Sequence, residues 1–423
     1  MWLFYDLLFF FLLLFFIPLY LLKGKFHPGI LRRFSCLPQA PFLDHPIWVH
    51  AVSVGEANAV RRLLTELRSA YPKKRMVIST VTATGNKVAL GLARPGDFVT
   101  YLPLDFSFTL KAALDKISPS LFIIVETEIW PNLIYYLSKN RIPIALVNAR
   151  ISDKSFVGYR AAKFFFKPVL QRINLFCAQT AADAERLTYL GAKEDAVRLT
   201  GNIKFDNYDY AGLKEDGADY KEKLGLTAQE KLLVAGSTHP GEEGVILGVY
   251  RELLKTYPNL RLFLAPRHPQ RAKEVAKLVE KLGFPFKLSS NLGRLNADSG
   301  LPAVVIIDAI GELLKYYASA DIVFVGGSLV KKGGQNILEP AALGKAVIFG
   351  PYMHNFRGIA ELFLKQNAAL MVYNNLQLKQ SIADLLNNPG KAEELGRKAK
   401  ILVEQNKGAT GLSMKYISRL ISM

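Results

Sequence analysis

A chain of 423 residues, half of them hydrophobic and 21% charged, is long for one domain and holds enough apolar material for two packed cores. Its 54 Lys+Arg against 36 Asp+Glu give a net charge of +18, which favours an anionic partner. The basic residues are scattered without any zinc-finger, RRM or helix-turn-helix pattern, which disfavours nucleic acid. The two cysteines, Cys36 and Cys177, suit a reducing compartment and rule out a disulfide framework or a Cys-based zinc site.

The first predicted element is a membrane anchor helix over 1–22. Residues 2–22 (WLFYDLLFFFLLLFFIPLYLL) are apolar apart from Asp6, and long enough to span a hydrocarbon core of about 30 Å. A cleaved signal peptide would need a basic leading segment, a shorter apolar stretch and a small-x-small cleavage site, and none is present. Lys23, Lys25, Arg32 and Arg33 follow at once, which places the remainder in the cytoplasm. Asp6 and Pro18 leave open a helix lying half in the bilayer; either version tethers the chain.

After a connector holding Pro28, Pro38, Pro41 and Pro46, short apolar runs alternate with helical stretches such as 56–70 and 109–116. Strands are predicted at 47–52, 76–81, 121–125, 142–147 and 174–178, then again at 231–236, 260–265, 303–308, 321–326 and 346–349. These runs are apolar without strict alternation, as strands buried on both faces are. The pattern predicts an α/β chain of two doubly wound, Rossmann-like domains, 23–206 and 207–423, with a polar linker region over 207–230. A ligand cleft between them, facing the C-terminal strand ends, is expected.

The segments following the predicted strands are rich in polar residues. Glu56 opens a helix after Ser53-Val54-Gly55, where it serves equally as a partner of the helix dipole or as a general base. Glu126 and Glu128 stand two apart at a strand end, and one is expected to point toward the cleft and the other to the opposite side or into a turn. Their E-x-E resembles the D-x-D of metal-dependent sugar transferases. No D-x-D occurs, however, and hard divalent ions want more oxygen ligands than this cluster offers, so no metal is expected. Lys204 ends the first half, either in an ordinary ion pair or reaching developing negative charge.

In the second half, Gly326-Gly327-Ser328 and Lys331 to Glu339 suggest backbone N–H groups and a helix start aimed at a phosphate. Arg267, in Pro266-Arg267-His268-Pro269, suits bidentate phosphate binding or plain solvation. Gly311-Glu312 begins a helix as cap or nucleotide contact, and Glu339 is a dipole partner or a ribose acceptor. His239 and His268 lack the i+3 or i+4 partner of a metal site. Neither a G-x-x-x-x-G-K-[ST] nor a G-x-G-x-x-G loop nor a G-x-S-x-G elbow occurs.

Taken together, HAVSVGE (50–56), STVTATG (79–85), YLPLD (101–105), ETEIWPNLI (126–134), NARIS (148–152), GNIKFD (201–206), APRHPQR (265–271), GELL (311–314) and FVGGSLVKKGGQNILEPAALG (324–344) resemble, in order and spacing, the 3-deoxy-D-manno-octulosonic acid (Kdo) transferases of lipopolysaccharide assembly. The resemblance covers nearly the whole chain. It implies a GT-B glycosyltransferase at the bacterial inner membrane, its catalytic domains cytoplasmic, with CMP-Kdo as donor co-substrate, a lipid A precursor (lipid IVA) as acceptor and no cofactor. It further implies Glu56 as general base, Glu126 and Lys204 as transition-state stabilisers, and CMP contacts at Pro266, Arg267, Ile310, Gly311, Glu312, Asn336, Ile337, Leu338 and Glu339. One departure is Gln335, where the family commonly has histidine. The alternatives are a membrane GT-B enzyme using a UDP-sugar, or a nucleotide-sugar-binding scaffold without catalysis.

Overall fold

The computed structural model describes residues 2–22, 28–34, 43–208, 220–294 and 301–421. In the first unit the strands are β1 (Ile47–His50), β2 (Met76–Thr80), β3 (Phe98–Tyr101), β4 (Leu121–Val125), β5 (Ile144–Ala149), β6 (Leu175–Ala178) and β7 (Val197–Leu199). They form one parallel sheet in the order β3-β2-β1-β4-β5-β6-β7. Alternate residues serve opposite faces. Trp48, Phe122 and Ile124 enter one core, while Ile47, Val49, Ile123 and Val125 enter the other, which is why these strands read as unbroken apolar runs.

The second unit repeats the plan with β8 (Lys231–Thr238), β9 (Leu260–Pro266), β10 (Phe286–Leu288), β11 (Val304–Ile306), β12 (Ile322–Val325), β13 (Ala346–Phe349) and β14 (Leu370–Met371). Its parallel order is β10-β11-β9-β8-β12-β13-β14. The four strands that the sequence pattern does not predict, β3, β7, β10 and β14, are the four sheet edges. They are two to four residues long and mostly only half-buried, so they lack the apolar run that marks an inner strand.

Three expectations are corrected. The predicted 56–70 helix is two helices, Val54–Ala59 and Arg61–Ala70, broken at Val60. The second domain does not run to 423: the units are 1–207 with 406–423, and 208–405. The helix Ala409–Ile421 buries Ala409 and Ile417 in the first unit's core beside Ile78 and Ile203. The Asp206 carboxylate accepts from the N–H groups of Gly408 (2.6 Å) and Thr410 (2.5 Å) at that helix's start, which assigns the aspartate of GNIKFD a structural task. Of the proposed linker, 209–219 lies outside the described residues, and a helical turn covers 220–223.

The third correction concerns the N-terminus. Residues Trp2–Leu22 are helical, but among the described residues no helix is long and apolar enough to cross a membrane. The side chains of 2–4 and 16–22 lie outside the described residues. Asp6, a charge out of place in a bilayer, is instead bound by the protein. It accepts from the Ser107 N–H (3.0 Å) and hydroxyl (2.5 Å) and from the Asn132 amide (2.7 Å).

Asp206→Ala removes both acceptors at the last helix and is expected to lower unfolding free energy by about 1–2 kcal/mol in a urea titration. An unchanged midpoint would show that this cap contributes nothing.

Candidate functional site

In each sheet the winding direction reverses between two neighbouring strands, β1 and β4 in the first unit and β8 and β12 in the second. Loops there diverge to opposite faces and leave a crevice beyond the strand C-termini. His50 pairs with Ile124, so the chain beyond β1 (Ser53 to Glu56) lies beside the chain beyond β4 (Glu126 to Glu128). Sequence distance gives no hint of this neighbourhood.

Ser53 caps the helix Val54–Ala59 by accepting from the Glu56 N–H (3.5 Å). In return, Glu56 accepts from the Ser53 hydroxyl (3.0 Å) and the Val52 N–H (2.6 Å), an S-x-x-E capping box displaced by one residue. The carboxylate is therefore fixed to the strand end rather than waving in solvent.

Glu126 has φ of +60°, the left-handed region, which turns the chain as β4 ends. Thr127 then bonds the main chain of Arg150, its hydroxyl donating to the carbonyl and accepting from the N–H. Glu126 and Glu128 both act electrostatically on Glu56, and Glu126 acts on Glu128. Lys204 Nζ lies 2.7 Å from Glu126 Oε1. Asn148, also at positive φ (+58°), places that lysine's segment by accepting from the Ile203 N–H at 3.1 Å.

Burial first, then the carboxylate of Glu126, pushes the Glu56 carboxyl up to about 7, with Glu128 adding to the rise and the Val52 N–H and Ser53 hydroxyl opposing it. Burial and Glu126 likewise raise Glu128, against the Trp130 indole and Arg33. A half-buried carboxyl poised near neutrality beside an acid–lysine pair is suited to take a proton from a hydroxyl at neutral pH. Among the described residues, no three His, Cys, Asp or Glu side chains are placed to hold a metal ion.

The glycine loop of the second unit differs from expectation. The N–H groups of Gly327 (2.6 Å), Ser328 (2.9 Å) and Leu329 (2.9 Å), with that of His239 (2.9 Å), all donate to the buried Glu242 carboxylate. The nest that resembles a phosphate cradle is filled by the protein's own anion. Gly326 is glycine for a steric reason: a Cβ there would lie 2.6 Å from the Thr238 Cα.

Positive charge gathers next to this filled nest. Burial, then His268, Lys332, Arg267 and Arg271, hold His239 below the usual imidazole range, which marks those four groups as its neighbours. Arg271 is committed to Glu243 (2.8 Å) and Glu274 (3.0 Å), whereas Arg267 is exposed just past Pro266, the last residue of β9. Gln335 Nε2 donates to His239 Nε2 at 3.2 Å.

Asn336 donates to Glu339 Oε1 (2.9 Å) and Tyr208 (2.7 Å), and Glu339 senses both Arg267 and Tyr317. Arg267, Asn336 and Glu339 are thus brought together. Ile337 and Leu338 have fully buried side chains, so only their main chain can meet a ligand, and the Leu338 N–H already bonds Asn336 Oδ1 at 3.1 Å. Ile310 is 84% exposed, Gly311 takes φ of +90°, and Glu312 begins the helix Leu313–Ser319 without a side-chain cap bond. Sequence reasoning missed Glu242 and gave Lys332, Arg271 and Asn148, which lie within its motifs, no role of their own, since these roles depend on contacts across loops.

A family model described as 3-deoxy-D-manno-octulosonic-acid transferase (kdotransferase) matches residues 29–207. The 3-deoxy-D-manno-octulosonic acid transferase of Haemophilus influenzae is 35% identical over 383 residues, covering 90% of this chain and 87% of its own. That of Chlamydophila psittaci is 31% identical over 404 residues, covering 95% and 91%. Among solved structures, a UDP-GlcNAc 2-epimerase from Neisseria meningitidis bound to UDP-GlcNAc matches with a TM-score of 0.59 at 14% identity, covering 89% of this chain and 100% of that one. That likeness is one of fold, two parallel-sheet α/β units of the GT-B type.

Glu242→Gln puts an amide against N–H donors and is expected to cost about 1–3 kcal/mol of stability, read by urea unfolding. Stability equal to the parent would refute the filled-nest description.

Proposed function

The chain belongs to the family of 3-deoxy-D-manno-octulosonic acid (Kdo) transferases, which are glycosyltransferases, and from that premise we propose that it moves Kdo from CMP-Kdo onto a lipid A precursor, lipid IVA, in lipopolysaccharide assembly. The observation that carries the mechanism is the Glu56 carboxyl, lifted to about 7 and hydrogen-bonded in place beside Glu126 and Lys204. Glu56 removes the proton from a sugar hydroxyl of the acceptor as its oxygen attacks the anomeric carbon of Kdo. The bond from that carbon to the CMP phosphate oxygen breaks, and the electron pair leaves with CMP. The Glu126–Lys204 pair stabilises charge developing at the attacking side.

On the donor side, Arg267, which shares His239 as a neighbour with Lys332 and His268, receives the phosphate, and Glu339 and Asn336 accept and donate to the nucleoside. The glycine loop acts indirectly, holding His239 through Glu242. Because cationic side chains meet the leaving phosphate, the reaction is read as metal-independent, with no cofactor beyond the co-substrate. Membrane association at a bacterial inner membrane's cytoplasmic face is supported by apolar exposure: Leu7, Phe11 and Phe15 on the first helix, with Phe108 and Phe164, all face solvent. The basic surplus suits anionic lipid, donor and acceptor alike.

Glu56→Gln is expected to lower turnover about 10²–10⁴-fold with CMP-Kdo binding retained, measured with lipid IVA, donor generated in situ and mass spectrometry of the product. Retained turnover would remove Glu56 as base. As the base must be unprotonated, kcat should rise with pH through about 7, following the raised carboxyl; a limb confined to pH 4–5 would contradict it. Turnover with UDP-sugars but not CMP-Kdo would replace this reading with the UDP-sugar alternative.

A further inference from the structure

Two helices of the first unit begin without a cap of their own. Phe106 precedes Ser107–Ile117 and Trp130 precedes Pro131–Lys139, and neither makes a side-chain cap bond. Both caps come from elsewhere. Asp105 accepts from the N–H groups of Asn132 (3.1 Å) and Leu133 (2.9 Å), at the start of the second helix. Asp6 takes the Ser107 N–H (3.0 Å) at the start of the first, and also the Asn132 amide (2.7 Å). The Tyr5 hydroxyl completes the cluster by donating to Asp105 at 2.8 Å.

Asn132 closes the loop that begins at Glu126. That loop is held at one end by Thr127 on Arg150 and at the other by Asn132, which the N-terminal helix grips. The grip is reinforced by Phe9 on Phe106, ring centroids 5.0 Å apart, while Leu7 and Phe11 of the same helix remain exposed. One face of the helix is therefore built into the acceptor unit, and the other is free.

We propose that Tyr5 and Asp6 are positioning residues for Kdo transfer: through Asp105 and Asn132, the N-terminal helix sets where the Glu126–Glu128 loop stands relative to Glu56. The helix is then part of the catalytic framework as well as a tether. This rests on Glu56 being the base. The groups facing the Glu56 carboxylate are the Ser53 hydroxyl and the Val52 N–H from its own side, and Glu126 and Glu128 from the loop; Lys204 pairs with Glu126, and Arg33 and Tyr159 neighbour Glu128. If the loop loses its grip, the two carboxylates withdraw and Glu56 drops from about 7, with burial, the larger cause, still holding it up.

The test uses the full chain with lipid IVA in detergent micelles, where anchoring to a bilayer is irrelevant. In Asp6→Ala, kcat is expected to fall about ten- to a hundredfold with acceptor KM nearly unchanged. The acid limb of the kcat profile moves below about 7, and co-sedimentation with phosphatidylglycerol vesicles is retained. Tyr5→Phe, which loses one hydroxyl, folds and shifts both quantities the same way by less, so it decides the matter if Asp6→Ala does not fold. A parental kcat and limb in micelles, with activity lost only on vesicles, would overturn the proposal and leave a plain anchor. A lowered melting temperature with an unmoved limb would overturn it too. If Glu56→Gln is inactive while the limb stays put in both variants, the clamp alone fails; if Glu56→Gln is active, the base assignment fails first.

Discussion

All-parallel sheets covered on both faces leave a protein few places for polar chemistry. Their interiors accept apolar side chains almost exclusively, and helices occupy both sides, so ligands must approach the strand ends where the winding reverses. In this chain those points are β1/β4 and β8/β12. Glu56 and Glu126 follow the first pair, and His239, Glu242 and the glycine loop follow the second. Both candidate sites, and the loops that furnish them, follow from where the two sheets change direction.

Throughout the fold the protein repeatedly sets a carboxylate against main-chain N–H groups. Asp6, Asp105, Asp206 and Glu242 all do this, each at a helix start or a glycine turn that its local residues leave unsatisfied. Burial raises Asp105 and Glu242 as well, and Asp105, with Asp6 beside it, is pushed up to about 7 against the Leu133 and Asn132 N–H groups and the Tyr5 hydroxyl. Glu56 is lifted by burial and then by the Glu126 and Glu128 carboxylates, against one N–H and one hydroxyl. Its position sets it apart: Glu56 is only half-buried beyond β1, where the winding reverses, whereas Asp105 and Glu242 are buried.

Much of the fold was legible because burial on both faces writes long apolar runs into the inner strands, and the ten inner strands were read that way. The edge strands β3, β7, β10 and β14 were not, being short and mostly half-exposed, so little in their own residues distinguishes them from loops. The return of Ala409–Ile421 to the first unit was equally hidden. An amphipathic helix announces that it has an apolar face, not which core receives it. The glycine loop misled for a related reason: Gly327 and Ser328 do turn N–H groups to an anion, but the anion is Glu242, four strands earlier in the chain.

By itself, the sequence determined two doubly wound α/β halves, a hydrophobic N-terminal helix, and motifs whose combination indicates a Kdo transferase. These are properties of local periodicity and of residue order, which a linear string preserves. Only the tertiary structure decided which acids meet. It brought Glu126 and Glu128 within electrostatic reach of Glu56, paired Glu126 with Lys204, filled the glycine nest with Glu242 and spent Asp6 on Ser107 and Asn132. An electrostatic role depends on distances of a few ångströms between groups from separate strand ends. Such distances come from strand order and loop direction, which no residue states about itself.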